Sequence, residues 1–117
     1  MGLHTELPVY RDACKLFSAI TGLVENMPRN HKAIIGSRII DECVEVVSLI
    51  FRANVSRDKE PHLFSMLEHL QMAECYLRLS RDRTAISIQN YANMIEITTG
   101  IGKQVSGWRK RSAASVS

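Results

Sequence analysis

Apolar residues recur along this chain at intervals of three and four, and Pro, Gly and charged clusters divide that recurrence into four segments. From about Thr5 to Met27 the apolar positions are Val9, Ala13, Leu16, Phe17, Ile20, Leu23, Val24 and Met27, one face of a helix that Pro28 stops. Asn30 is placed to cap the next segment, which runs in an uninterrupted helical pattern from Ile34 to Ala53 and ends near Asn54. Val55 to Glu60 form a charged connector. Asp58 and Pro61 suit the first turn of a third helix, whose stripe runs Leu63, Met66, Leu67, Leu70, Ala73 and Leu77 and fades into Ser80-Arg81-Asp82-Arg83. Ser87 opens the fourth, with the stripe Ile88, Tyr91, Ile95, Ile101, Val105 and Trp108. Gly100 and Gly102 interrupt it, each at a cost of about 1 kcal/mol relative to alanine in a helix interior. Close helix packing or a kink is the expected reason for them.

No segment alternates strictly, and the connections are short. The pattern therefore predicts an all-α fold, an antiparallel up-down-up-down four-helix bundle spanning residues 1–111, with residues 112–117 as a flexible C-terminal tail. In the second segment Ile35, Ile39, Ile40, Cys43, Val44, Val46, Val47, Leu49, Ile50 and Phe51 sweep an arc of roughly 220° at 100° per residue. One bundle core needs far less. The surplus predicts burial against another subunit, or else a central helix in a monomer, and leaves a narrow polar strip of Arg38, Asp41, Glu45 and Arg52.

Composition narrows the class further. A chain of 117 residues with 45% hydrophobic residues suits one globular domain with one core. Charge is unevenly spread: residues 78–117 hold seven Lys and Arg against Asp82 and Glu96, a balance of +5, which leaves −2 for residues 1–77. That asymmetry favours a polyanionic partner, although scattered surface cations have the same signature. No apolar run approaches the ~20 residues of a membrane span. The opening Met1-Gly2-Leu3-His4-Thr5-Glu6 lacks a basic start and an apolar stretch, and Glu6 stands where a myristoylation signal wants Ser or Thr, so a cytoplasmic protein is expected. Cys14, Cys43 and Cys75 form no C-x-x-C pair and fall within apolar stripes, which predicts buried, protonated, inert thiols.

Candidate catalytic chemistry fails on spacing. A di-metal carboxylate bundle needs Glu-x-x-His pairs, and none of the four histidines has Glu three positions before it; His62 and His69 share a helix face without ligand-spaced carboxylates. Asp41 and Glu45 stand beside Arg38 and Arg52 at helical offsets that favour a solvated or intersubunit salt-bridge strip over an acid–base pair. Gly100-Ile101-Gly102-Lys103 departs from a P-loop at Ile97 and Gln104, and Val105 occupies the third glycine position of a dinucleotide fingerprint. No enzyme, metal or cofactor is expected.

The remaining constellation is basic. Arg29, His31 and Lys32 cluster at the start of the second helix, where free N–H groups suit phosphate. Arg78, Arg81 and Arg83 end the third helix, and Arg109, Lys110 and Arg111 follow Trp108 at the end of the fourth. An antiparallel bundle brings the Arg78 group to the Arg29 group, and the Arg109 group to Arg52 and Arg57. Cations at helix C-termini also offset the dipole, by about 0.3–1 kcal/mol each. With no exposed aromatic pairs at regular spacing, binding is expected to be directed at the backbone and weakly sequence-selective.

Several short motifs in order carry a resemblance: Leu7-Pro8-Val9-Tyr10, Met27-Pro28-Arg29-Asn30-His31, Ile35-Gly36, Phe51-Arg52-Ala53-Asn54 and Ser106-Gly107-Trp108. Over about residues 7–111 the chain resembles the accessory variability determinant (Avd-like) proteins of diversity-generating retroelements, relatives of the four-helix bundle proteins encoded in 23S ribosomal RNA intervening sequences. The Ser-Ile-Pro-x-Asn-Ile-Ala-Glu-Gly-like stretch of the intervening-sequence proteins is missing from Val47 to Val55, which favours the retroelement branch. The resemblance implies a pentameric barrel without catalytic activity that binds a reverse transcriptase and nucleic acid, template RNA or cDNA, and supports mutagenic cDNA synthesis. It places RNA or enzyme contact on Arg29, His31, Lys32, Arg78, Arg81 and Arg83, and further contact on Arg52, Arg109, Lys110 and Arg111. The alternative is a structural oligomeric adaptor of the intervening-sequence type with no nucleic-acid role.

Overall fold

The computed structural model describes residues 2–116, and Ser117 of the expected tail lies outside them. After a 3-10 turn at His4–Glu6, α1 spans Pro8–Glu25, with Pro8 at the first helical position, where its missing N–H costs nothing. The second helix, α2, begins earlier than the sequence predicts. It has a first turn at Arg29–His31, a wide π-type turn at Lys32–Gly36 and a long part at Ser37–Val55. Pro28, not Asn30, stands at its N-cap, because the proline ring supplies an extended residue directly before the first turn. The helices α3, Glu60–Asp82, and α4, Ile88–Val116, complete the bundle. Among the described residues no helix is long and apolar enough to cross a membrane.

Each helix packs on two neighbours: α2 on α1 and α3, and α4 on α3 and α1. The resulting four-helix body is elongated, 48 × 20 × 19 Å. Leu16 and Ile20 of α1, Ile39 and Ile50 of α2, Leu63, Met66 and Leu77 of α3, and Ile101 and Val105 of α4 are fully enclosed, as the stripes predict. Ile88 is a correction: at 76% exposure it lies outside the core. The α4 stripe instead starts at Met94 and runs through Thr98, which donates to Glu74 Oε2 of α3 at 2.6 Å. Ser87 opens α4 as expected, its hydroxyl accepting from Asn90 N at 3.0 Å.

Two of the three cysteines are also corrected. Only Cys43 is buried, and enclosure followed by the charge of Glu42 pushes its thiol pKa up to about 12. Cys14 and Cys75 are exposed, because each sits one helical step beyond the edge of its stripe. Gly100 and Gly102 are not a close-packing site: α4 continues through both, and a Cβ at either would meet nothing within 4 Å. Gly36, by contrast, is buried in the π-type turn of α2 tightly against Val24. Beyond Arg111, α4 stays helical to Val116, over residues expected to form the tail; Ala113 and Ala114 are strong helix formers.

The surplus apolar arc on α2 has a definite place. Val44, Phe51 and Val55, spaced seven and four residues apart, fall on one line of the helix, and they are 44%, 48% and 52% exposed. Half-buried Ile40 and Val47 continue that line, and Phe51 packs edge-on against the His4 ring, centroids 5.0 Å apart. The polar strip of Arg38, Asp41, Glu45 and Arg52 is exposed, and none of the four is ion-paired among the described residues.

Candidate nucleic-acid and partner interface

At one end of the bundle, the start of α2 meets the end of α3. Asn30, His31, Ile34, Ile35, Leu79 and Arg83 line a single open cavity of about 290 Å³ there. The antiparallel order thus brings the Arg29 and Arg78 groups together. The π-type turn shapes this end, since it pushes Ile34 outward to 69% exposure while Ile35 stays buried. Arg29, Lys32 and Arg83 are exposed and make no ion pair among the described residues. The Nδ1 atom of His31 is enclosed without a hydrogen-bond partner.

Arg78 and Arg81 are arranged differently. Both flank Tyr91 of α4: the Arg81 guanidinium lies 4.4 Å from the ring centroid, and hydrogen bonding with Tyr91 is the main cause that raises the pKa of Arg78. Arg81 also donates to Asp82 Oδ1 at 2.9 Å. Arg81 ties α3 to α4 through Tyr91, while Arg83 stays open. The turn that follows is a Schellman-type C-cap, with Ala85 N donating to Ser80 O at 2.8 Å and Thr84 N to Arg81 O at 3.0 Å. Thr84 supplies its left-handed residue, with φ 58°.

The other end carries Arg52, Arg57, Arg109, Lys110 and Arg111. Arg109 is committed inside the chain: its Nε donates to Glu60 Oε1 at 3.1 Å, and its guanidinium lies 5.6 Å from the Phe64 centroid. That hydrogen bonding holds the Glu60 carboxyl below its ordinary range and raises Arg109. Arg52, Lys110 and Arg111 are exposed, with no side-chain partner among the described residues. Since Glu60 begins α3, the part of α4 beyond Arg109 projects past the first turn of its neighbour.

Two lysines outside the basic groups expected at the bundle ends also shape this end. The Lys59 ammonium donates to the carbonyls of Ala53, Asn54 and Ser56 at 2.7, 3.3 and 2.9 Å, closing the C-terminus of α2. Nothing in its spacing announces that role. Lys103 faces the cavities on both sides of α4, and its position seven residues before Lys110 places the two on one helix face, a signal that was there to read.

Among the described residues no three His, Cys, Asp or Glu side chains converge to hold a metal ion. The one buried-edge pair of that kind, His69 Nδ1 with Glu42 Oε2 at 2.6 Å, ties α3 to α2. What this arrangement offers chemically is a helical body with cations at both ends that are unpaired among the described residues, and an exposed apolar line along one flank. No curated protein sequence matches the chain. A family model described as bAvd-like matches residues 10–112, which span all four helices and both basic ends, and the chain belongs to that family.

Proposed function

We propose that this protein is a non-catalytic accessory subunit of a diversity-generating retroelement, acting in the cytoplasm, that binds the reverse transcriptase and the template RNA or cDNA during mutagenic cDNA synthesis. The family match over residues 10–112 carries the reading. It is supported by the cations left unpaired at the bundle ends, Arg29, Lys32 and Arg83 at one and Arg52, Lys110 and Arg111 at the other. Such groups attract phosphate and gain by releasing its counterions. A homopentameric barrel is part of the proposal, and the exposed line Val44, Phe51 and Val55 supports a subunit contact.

RNA affinity measured at two salt concentrations tests the nucleic-acid role. A single-stranded RNA is expected to lose about tenfold or more in affinity between 50 and 200 mM salt. Binding that ignores salt, or no binding at all, counts against it. Replacing Arg78, Arg81 and Arg83 together by alanine is expected to weaken RNA or reverse-transcriptase binding.

One observation favours a second reading. Arg81 and Arg109 are engaged within the chain, with Asp82 and Glu60, as expected if the cations serve only to tie down helix ends. In that case the protein is a structural oligomeric adaptor of the 23S ribosomal RNA intervening-sequence type, and the triple alanine variant leaves partner binding and cDNA synthesis intact.

A further inference from the structure

Three of the ordered sequence motifs, separated by up to a hundred residues, converge on one cavity. Leu7-Pro8-Val9 at the entrance of α1, Asn54 at the end of α2 and Gly107-Trp108 near the end of α4 all line an open space of about 410 Å³. Most of its polar lining is already satisfied. Asn54 Nδ2 donates to Gly2 O at 2.9 Å, Gln104 Nε2 donates to Asp12 Oδ2 at 2.6 Å, and Lys59 serves three carbonyls. Two lining cations, Lys103 and Arg111, have no partner among the described residues. The unmet chemistry of the cavity is therefore an aromatic wall, Trp108, flanked by Leu7 and Pro8, with two positive charges beside it.

We propose that this cavity takes one unstacked base of a single-stranded nucleic acid, the ring lying against Trp108 and the adjoining phosphates on Lys103 and Arg111. The proposal rests on the nucleic-acid reading above and gives it a site and a mode of contact. A flat aromatic ring carrying an anion is the ligand class that satisfies both halves of the lining, and stacking on an indole is open to any base. Asn54 and Gln104 suit the polar edge of a base: each has spent one amide N–H inside the protein and keeps a second N–H and a carbonyl oxygen, a donor and an acceptor that match the donor and acceptor groups of a base.

Gly107 leaves room for Arg111. A Cβ there would lie 3.3 Å from Arg111 Nη1, so the bare backbone lets the guanidinium lie across this turn of the helix. Gly107 and Lys103 also line the groove on the other side of α4, together with Lys110. A strand leaving the cavity over Gly107 thus meets further positive charge.

Trp108 is the chain's only tryptophan, so its emission reports on the cavity directly. The full-length protein is titrated with an oligoadenylate RNA, an abasic oligomer of equal length and inorganic polyphosphate. Quenching by oligoadenylate, with binding but no quenching by the abasic oligomer and polyphosphate, is the expected result. Changing Lys103 and Arg111 together to alanine should abolish the quenching. Trp108→Leu should lower oligoadenylate affinity about tenfold while leaving abasic binding within about twofold. Should that variant fail to fold, the double alanine variant, which leaves the core untouched, decides the matter. Oligoadenylate binding without a change in emission overturns the cavity assignment and leaves the nucleic-acid role standing. Failure of all three polyanions to bind overturns both. Equal quenching by a leucine- and glutamate-rich peptide overturns the assignment to a base.

Discussion

Gly36 and Val24 meet so closely that position 36 has no room for a side chain: a Cβ there would lie 2.7 Å from Val24 Cγ1 and 3.4 Å from Met27 Sδ. The contact fixes the spacing of α1 and α2 at the π-type turn, where Ile34 is turned outward beside His31 and Arg83. Gly36→Ala is expected to destabilise the fold by about 1–3 kcal/mol, the usual cost of overpacking. Gly100→Ala and Gly102→Ala, in open parts of α4, are each expected to add about 0.5–1 kcal/mol. Denaturant midpoints of the three variants check both signs. Gly102 also lines the groove with Lys103 and Lys110, so weakened RNA binding by the stabilised Gly102→Ala variant would mark that groove as a contact surface.

Thr84 adopts the left-handed conformation, φ 58°, that closes α3 and leads into α4. A β-branched residue is strained there, by roughly 1–2 kcal/mol relative to glycine. Thr84→Gly is expected to raise stability by about 1 kcal/mol, after part of the gain is offset by the greater freedom of the unfolded chain. Thermal unfolding reads this directly, and a lower midpoint would show that the threonine side chain contributes contacts that outweigh the strain.

The Glu60 carboxyl is held below its ordinary value of 4.5, chiefly by its hydrogen bonds from Arg109. A carboxyl with a lowered folded pKa contributes stability that is fully present above 4.5 and is lost as pH falls through the lowered value. The thermal midpoints of the wild type and Glu60→Gln are therefore expected to differ at neutral pH and to converge in acid. The same substitution releases Arg109, so RNA affinity at low salt should rise if this end of the bundle contacts phosphate. Convergence at neutral pH instead would mean that solvent screens the pair completely.

The four stripes were legible because helical periodicity and Pro28 are local signals. Ser87 as the opening of α4, and the meeting of the Arg29 and Arg83 groups, followed from capping chemistry and antiparallel order. What escaped the sequence depends on neighbours distant in the chain. Gly36 and Gly100 look alike until Val24 is seen against one of them and open space around the other. Cys14 and Cys75 sit at stripe edges, where a single helical step of 100° separates core from solvent. Arg109 reads as a free cation beside Lys110 and Arg111 until Glu60, far back in the chain, is found holding it. Trp108 reads as an ordinary core residue until Pro8 and Asn54 arrive beside it to form a cavity.

The line Val44, Phe51 and Val55 carries the last prediction. Each of these residues leaves close to half its surface in water, and half-buried Ile40 and Val47 lengthen the line. A patch of this kind on a small body is held against another surface when the protein assembles. If that surface is a second copy, a lysine at Val44 places a charge in the contact while leaving the bundle core, centred on Ile39, Val46 and Ile50, untouched. Val44→Lys is expected to shift the protein from oligomer to monomer in sedimentation equilibrium at micromolar concentration, with its helical circular dichroism unchanged. Arg38→Ala, in the polar strip of the same helix, is the matched control and should leave the mass unaltered. An assembled Val44→Lys protein would place the subunit contact elsewhere and return this line to the reverse transcriptase as a candidate docking face.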